Sequence, residues 1–162
     1  MANPLKAFRG NALYLDTMMP YLFLRGVNEF RPLFQRIERG EILAYTSALT
    51  FDELGYRLLL AFIKDRYEGS PLERLRDQEE RMMAEFAPPV ASLLRRLREY
   101  PYLTVVDVLA SDLDVMGETM VRFHLRPRDA LHYAAMLRVG CLDLASNDPH
   151  FDRIPTIRRF TL

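Results

Sequence analysis

The sequence predicts an α/β fold on a parallel sheet, and three observations carry that prediction. Short apolar runs alternate with amphipathic stretches along the whole chain, which implies right-handed crossovers and parallel strands. The fourth of these runs, Cys141-Leu142-Asp143-Leu144, leads into small polar residues and then acids, Ala145-Ser146-Asn147-Asp148. A buried parallel strand looks like this when it delivers carboxylates to the end of a sheet, where open α/β sheets bind ligands. Finally, Leu15-Asp16-Thr17 repeats the pattern near the start of the chain.

The totals are compatible with that class. The 162 residues fit one domain, 1–162, with an adequate core. Hydrophobic residues at 49% and charged residues at 27% are those of a soluble globular protein. The 22 basic and 22 acidic residues cancel, so the chain does not coat nucleic acid by bulk attraction; a local basic rim around an acidic hole is still allowed. Lys6 and Lys64 are the only lysines. Arginine grips phosphate through a rigid fork, but compositional bias is the simpler explanation of the excess. Cys141 is the only cysteine, which excludes an intrachain disulfide and a cysteine metal cluster. A buried, inert thiol is expected, and a reducing cytoplasm is consistent with it without being required. Neither a secretory signal nor a membrane span is legible.

In order, residues 1–10 read as a lead-in and Ala12-Leu13-Tyr14-Leu15 as the first strand, closed by Asp16-Thr17. Pro20 suits the first turn of a short helix. Phe30, Leu33, Phe34 and Ile37 fall at i, i+3, i+4, i+7 and predict a helix over 27–39, stopped by Gly40. A second strand follows over 43–49. Thr50 and Glu53 have capping-box spacing, which predicts a helix from 51 to 66. Ser70, Pro71 and Glu73 open another over 71–86, with Leu72, Leu75, Met82, Met83 and Phe86 on its apolar stripe. Pro88-Pro89 is expected to break it before a further helix carrying Val90, Leu93, Leu94 and Leu97. Segment 67–100 therefore reads as a helical hairpin inserted into the sheet domain. Leu103-Thr104-Val105-Val106 is the third strand. Helices over 112–123, with Leu113, Met116 and Met120 inward, and 129–139, ended by Gly140, precede the fourth strand, Cys141–Leu144. Ile157–Phe160 is a fifth strand at the edge, giving about five in all.

On this map Asp16 ends strand one, Glu53 opens the helix after strand two, and Asp148 follows strand four. Asp129 opens the helix before strand four and needs the tertiary fold to join them. Two unit charges about 4 Å apart repel by roughly 4 kcal/mol at an effective dielectric near 20. A helix N-terminus offsets only about 0.3–1 kcal/mol, so four clustered carboxylates need a cation or must protonate. An all-oxygen ligand set selects Mg²⁺ or Mn²⁺. The chemistry that follows is phosphodiester hydrolysis with water as nucleophile. Singly the acids mean little: Glu53 suits a cap and Asp148 an Asx turn.

The segments Tyr14-Leu15-Asp16-Thr17, Leu49-Thr50-Phe51-Asp52-Glu53, Arg128-Asp129-Ala130-Leu131-His132-Tyr133-Ala134-Ala135 and Ser146-Asn147-Asp148-Pro149-His150-Phe151-Asp152 resemble the acidic motifs of the PIN-domain nucleases, most closely the VapC-type toxin ribonucleases of VapBC pairs. The resemblance implies a three-layer α/β/α sandwich around the parallel sheet. It also implies a Mg²⁺- or Mn²⁺-dependent endoribonuclease, a homodimer, held inactive by a small antitoxin. Asp16, Glu53, Asp129 and Asp148 match its acidic positions, as catalytic residues and metal ligands. Ser146 matches a supporting hydroxyl and Asp152 a later, less regular acid; Thr17 and Asn147 stand beside them as support. The 67–100 segment is longer than the family's usual helical clip.

Arg126 and Arg128, flanking Pro127, are candidates for phosphate contact. Asp52, Asp107 and Asp143 are ranked as solvated, loop and structural acids. His132, on nearly the same helix face as Asp129, reads as a satisfied core histidine before a ligand, and His124 and His150 show no ligand spacing with each other. Two other readings share the fold: an RNA-processing nuclease without an antitoxin, and a non-catalytic RNA- or protein-binding module. A haloacid-type phosphatase wants an acid two residues after Asp16, where Met18 stands.

Overall fold

The computed structural model describes residues 2–162. Its strands are β1 (Asn3–Pro4), β2 (Ala12–Leu15), β3 (Leu43–Ser47), β4 (Leu103–Val106), β5 (Asp143–Ala145) and β6 (Arg158–Thr161). All pair in parallel, in the order β1-β6-β5-β2-β3-β4. The sheet thus has six strands where five were expected. The extra one, β1, lies in the supposed lead-in and pairs Asn3 with Phe160 and Pro4 with Thr161, which moves β6 in from the edge. Two residues with one apolar partner side chain leave no periodic trace in the sequence. Met1, part of that lead-in, lies outside the described residues.

Period-two alternation feeds two apolar layers. Leu13 and Leu15 of β2, Leu103 of β4 and Ala145 of β5 enter one core. Tyr14, Val106 and Leu144, from the same strands, enter the other. The first core is covered by α1 (Met18–Leu24), α2 (Arg31–Glu38), α3 (Ala48–Arg66) and α5 (Glu79–Arg98), which follows the short α4 (Pro71–Asp77). The second is covered by α6 (Asp112–Phe123) and α7 (Pro127–Val139). This is a three-layer α/β/α arrangement with seven α-helices among the described residues. Gly40 and Gly140 follow α2 and α7 at φ +72° and +67°, the left-handed stop that only glycine takes without strain. No helix of the described residues is long and apolar enough to cross a membrane.

Several local expectations are corrected. The start of α3 is Ala48, and its N-cap is Ser47, whose Oγ accepts from the Leu49 amide at 3.0 Å. Thr50 lies inside the helix, its hydroxyl paired with Thr46 at 2.8 Å, so Thr50 and Glu53 form no capping box. At 70–73 the box is half made: Ser70 Oγ accepts from the Glu73 amide at 3.3 Å. The helix break expected at Pro88-Pro89 occurs instead at Gln78, and α5 runs through both prolines. Met82, Phe86, Val90 and Leu97 are buried while the prolines lie towards solvent. The carbonyls that the prolines release therefore meet water, and burying four apolar side chains at about 1.5–3 kcal/mol each matches or outweighs a helix-interior penalty of about 3 kcal/mol for each of the two prolines. Tyr67 donates to Glu85 at 2.6 Å, and Gly55 faces Leu94, so α5 lies antiparallel along α3 as part of the core layer. Leu72, Met83 and Leu113, expected inward, are exposed.

Candidate metal centre

Strand order decides where the site forms. From β2 the chain moves outward through β3 and β4, then returns to place β5 and β6 on the other side of β2. The crevice beyond the carboxyl ends of β2 and β5 is a topological switch point. Asp16 and Ser146 are the first residues past those two ends. The Asp16 amide donates to Ala145 O at 3.1 Å, and Ser146 Oγ donates to Asp16 Oδ2 at 2.7 Å. Ser146 Oγ in turn accepts from the Asp148 amide at 3.0 Å. One hydroxyl therefore ties Asp16 to the loop that carries Asp148.

The structure brings Asp16, Glu53, Asp129 and Asp148 together around one open cleft of about 750 Å³, also lined by Thr17, Asn147, Arg57, Arg126 and Arg128. Asp129 arrives from the first turn of α7, which Pro127 opens. Glu53 arrives from the second turn of α3, one turn deeper than its expected place at the N-terminus, so the helix dipole supports it less. The atoms that could ligate a metal fall into two groups, Asp16–Glu53–His132 and Asp129–Asp148–His150, each within 4.8 Å of one another.

The four acids are not equivalent. Burial works against the charge on Glu53, but Thr17 donates to Oε2, Arg128 donates to Oε1 at 3.0 Å, and His132 lies nearby; together they hold the carboxyl below the usual carboxylate range. His132 Nε2 is 3.8 Å from Oε2, beyond hydrogen-bond reach, so the Thr17 and Arg128 contacts are the direct ones. Asp129 shows the opposite shift. Burial pushes its carboxyl up, and the neighbouring charges of Asp148 and Asp16 push it further. Its Oδ2 is buried with no hydrogen-bond partner. An acid with that environment either keeps a proton or receives a cation. An orphaned carboxylate oxygen among three other carboxylates fits a hard divalent ion.

Asp148 does form an Asx turn, its Oδ1 accepting from the His150 amide at 2.9 Å, while still facing the cleft. Asn147 also lines it, its Oδ1 accepting from Thr161 at 2.7 Å. Asp152 does not reach the cleft. It pairs through both oxygens with Arg159 at 2.8 Å, and Arg159 donates to Ser146 O at 3.0 Å. It therefore supports the β5 loop from behind. Arg128, expected on phosphate, here spans Glu53 and Asp52. Arg126 is exposed at the rim. Of the demoted acids, Asp52 is exposed on Arg128 and Asp143 pairs with Arg158 at 2.6 Å. The Asp107 carbonyl accepts from Arg138.

The chain matches the PIN domain family over residues 13–157. The chain belongs to the PIN domain family. That membership supports a nuclease role, and the acidic PIN cleft could hold a divalent metal. Three solved structures share the fold at low identity. VapBC2 from Rickettsia felis, bound to a DNA fragment from its promoter, is 13% identical with a TM-score of 0.63, covering 93% of this chain and 98% of that one. VapC20 of Mycobacterium tuberculosis, a sarcin-ricin loop cleaving toxin, is 14% identical at 0.56, covering 86% and 92%. FitAB bound to an IR36 DNA fragment is 17% identical at 0.54, covering 92% and 94%. No curated protein sequence matches the chain significantly.

Of three further residues in or behind this PIN site, the sequence reading ranks His132 as core and passes over Arg57 and Arg159. His132 is buried at 1% exposure, with Nδ1 bonded to the Tyr14 hydroxyl at 2.9 Å and Nε2 unpartnered, so it is only half satisfied. Arg57 stands four residues after Glu53 on the same helix face, a spacing that could have found it. Arg159, the buried partner of Asp152, had no local signal.

Proposed function

We propose that this chain is a divalent-metal-dependent endoribonuclease that hydrolyses RNA phosphodiester bonds, acting as the toxin of a type II toxin–antitoxin pair. The observation that carries the reading is the convergence of Asp16, Glu53, Asp129 and Asp148 on one cleft, with Asp129 Oδ2 buried and unpartnered. These four residues would hold Mg²⁺ or Mn²⁺. When bound, such an ion activates water and stabilises charge on the scissile phosphate.

The remaining roles belong to the chain itself. Ser146 fixes the Asp16 carboxylate, and Thr17 fixes Glu53. The Asp152–Arg159 pair braces the Ser146 carbonyl and with it the Asn147–Asp148 loop. Arg57, Arg126 and Arg128 form a basic rim around the acidic floor. They would bind backbone phosphates on either side of the cut, Arg128 by exchanging Glu53 and Asp52 for phosphate oxygens. Exposed Tyr56, beside Arg57 in the adjoining groove, offers a ring on which a base can stack.

The named activity of the mycobacterial relative supports RNA as substrate, and the toxin–antitoxin complexes among the fold relatives support a small antitoxin partner. A homodimer and a cytoplasmic location accord with that reading.

The test is cleavage of a mixed RNA pool by antitoxin-free protein with Mn²⁺, with EDTA, and with Asp129→Asn in parallel. Cleavage that needs metal and disappears in the variant is expected. A well-folded protein that neither cleaves nor binds Mn²⁺ would favour a non-catalytic binding module instead.

A further inference from the structure

We propose that His132 is a metal ligand, completing through Nε2 a mixed nitrogen–oxygen site with Asp16 and Glu53 that favours Mn²⁺ and later first-row ions over Mg²⁺. The inference rests on the reading of the cleft as a divalent-metal site and deepens it.

His132 enters from α7, one turn past Asp129, and its ring is among the most deeply buried polar groups of the chain. Nδ1 lies 2.9 Å from the Tyr14 hydroxyl. Tyr14 is itself wholly buried, so the ring is held from behind by a rigid strand residue. A histidine that binds metal through one nitrogen is held in this way at the other. The phenol oxygen can accept the Nδ1 proton, leaving the Nε2 lone pair free.

Nε2 has no hydrogen-bond partner. Whichever tautomer is present, a buried and unsatisfied ring nitrogen is unfavourable. Glu53 Oε2 is 3.8 Å away, too long for a hydrogen bond. That spacing admits two ligands of one ion, since donors about 2.1 Å from a shared centre lie at most about 4.2 Å apart. An Asp16 oxygen completes the group, all three ligand atoms lying within 4.8 Å of one another.

The polarity of Glu53 is consistent with this. Arg128 takes Oε1, on the solvent side, while Oε2 turns inward to Thr17 and His132. The inner oxygen and the imidazole therefore face the same volume. Carboxylate oxygens alone suit Mg²⁺; adding an imidazole shifts preference toward ions that accept nitrogen.

The experiment is pulsed electron paramagnetic resonance on the Mn²⁺-loaded full chain, with and without ¹⁵N-histidine labelling, together with Mn²⁺ and Mg²⁺ titrations. Wild type should show a coordinated-nitrogen signal that changes with histidine labelling and persists in His150→Gln. In His132→Gln that signal should vanish and Mn²⁺ affinity should fall at least about tenfold, with Mg²⁺ affinity changing far less. The wild-type and His150→Gln spectra decide the question even if the buried substitution fails to fold. Mn²⁺ that binds in an Asp129-dependent way without a nitrogen signal, or with one that disappears in His150→Gln, overturns the assignment and leaves the nuclease reading standing. A protein that binds no Mn²⁺ overturns both.

Discussion

Replacing Asp129 by Asn should raise the stability of the metal-free protein while removing its stabilisation by metal. Asp129 and Asp148 present oxygens within 4.8 Å of each other. If both are ionised, their repulsion is roughly 3.5 kcal/mol at an effective dielectric near 20. The cleft is open to solvent, and screening leaves about 1 kcal/mol of that. The amide of the Asp129→Asn variant removes the repulsion and forfeits no bond at Oδ2, which has no partner. For a domain of this size about 1 kcal/mol moves Tm by roughly 2–4 °C. In EDTA the variant should therefore melt a few degrees above wild type. With Mn²⁺ at about a hundred times its Kd, wild type should gain about 2.7 kcal/mol, and the variant much less, so the order of stability reverses. Calorimetric melts of both proteins in both buffers measure this. A variant less stable than wild type in EDTA, or one with an undiminished metal shift, would refute the picture of an acid left unsatisfied for a cation.

Other perturbations read other parts of the site. Arg128→Ala removes a half-exposed cation from Glu53; at about 0.2–1 kcal/mol for such a pair, Mn²⁺ should bind up to about fivefold tighter by titration, while KM for RNA rises. Arg159→Met strips a buried partner from Asp152 and from Ser146 O. The expected loss is about 2 kcal/mol, reduced from the fully buried case because Asp152 is partly open, and it should appear in denaturant melts even with EDTA present. Asp112 is buried, which opposes its charge, but Arg138 and the Leu109 amide hold its carboxyl below the usual range. A depressed folded pKa stabilises above the unfolded value and is lost as pH falls through the folded one. The stability gap between wild type and Asp112→Asn should therefore be constant from neutral pH down to about 5 and close below about pH 4.

Much of this was legible along the chain because it is local. Strands buried on both faces must be apolar, so β2, β3 and β4 stood out. A carboxylate at a strand exit is visible as a polar residue just past an apolar run, as at Asp16 and Asp148. Gly40 and Gly140 marked helix ends because the left-handed turn after a helix is a one-residue requirement. Where two local signals competed, tertiary burial chose between them. Ser47 outranked Thr50 as the cap because β3 ends at Ser47, and Pro88-Pro89 was overruled because Met82, Phe86, Val90 and Leu97 had a core to enter.

The sequence by itself determined the fold class, the parallel sheet and the strand-exit acids Asp16 and Asp148, since periodicity and strand-end chemistry are properties of neighbouring residues; Glu53 and Asp129 joined them only through the motif resemblance and the tertiary fold. Only the tertiary structure decided that β1 extends the sheet, that Arg159 braces the β5 loop through Asp152, and that Arg128 reaches back across the cleft to Glu53. It also decided that His132, bonded to Tyr14 across a sequence separation of 118 residues, turns an unpartnered nitrogen toward Glu53. Each of these depends on which side chains meet across the sheet, and spacing along the chain does not carry that information.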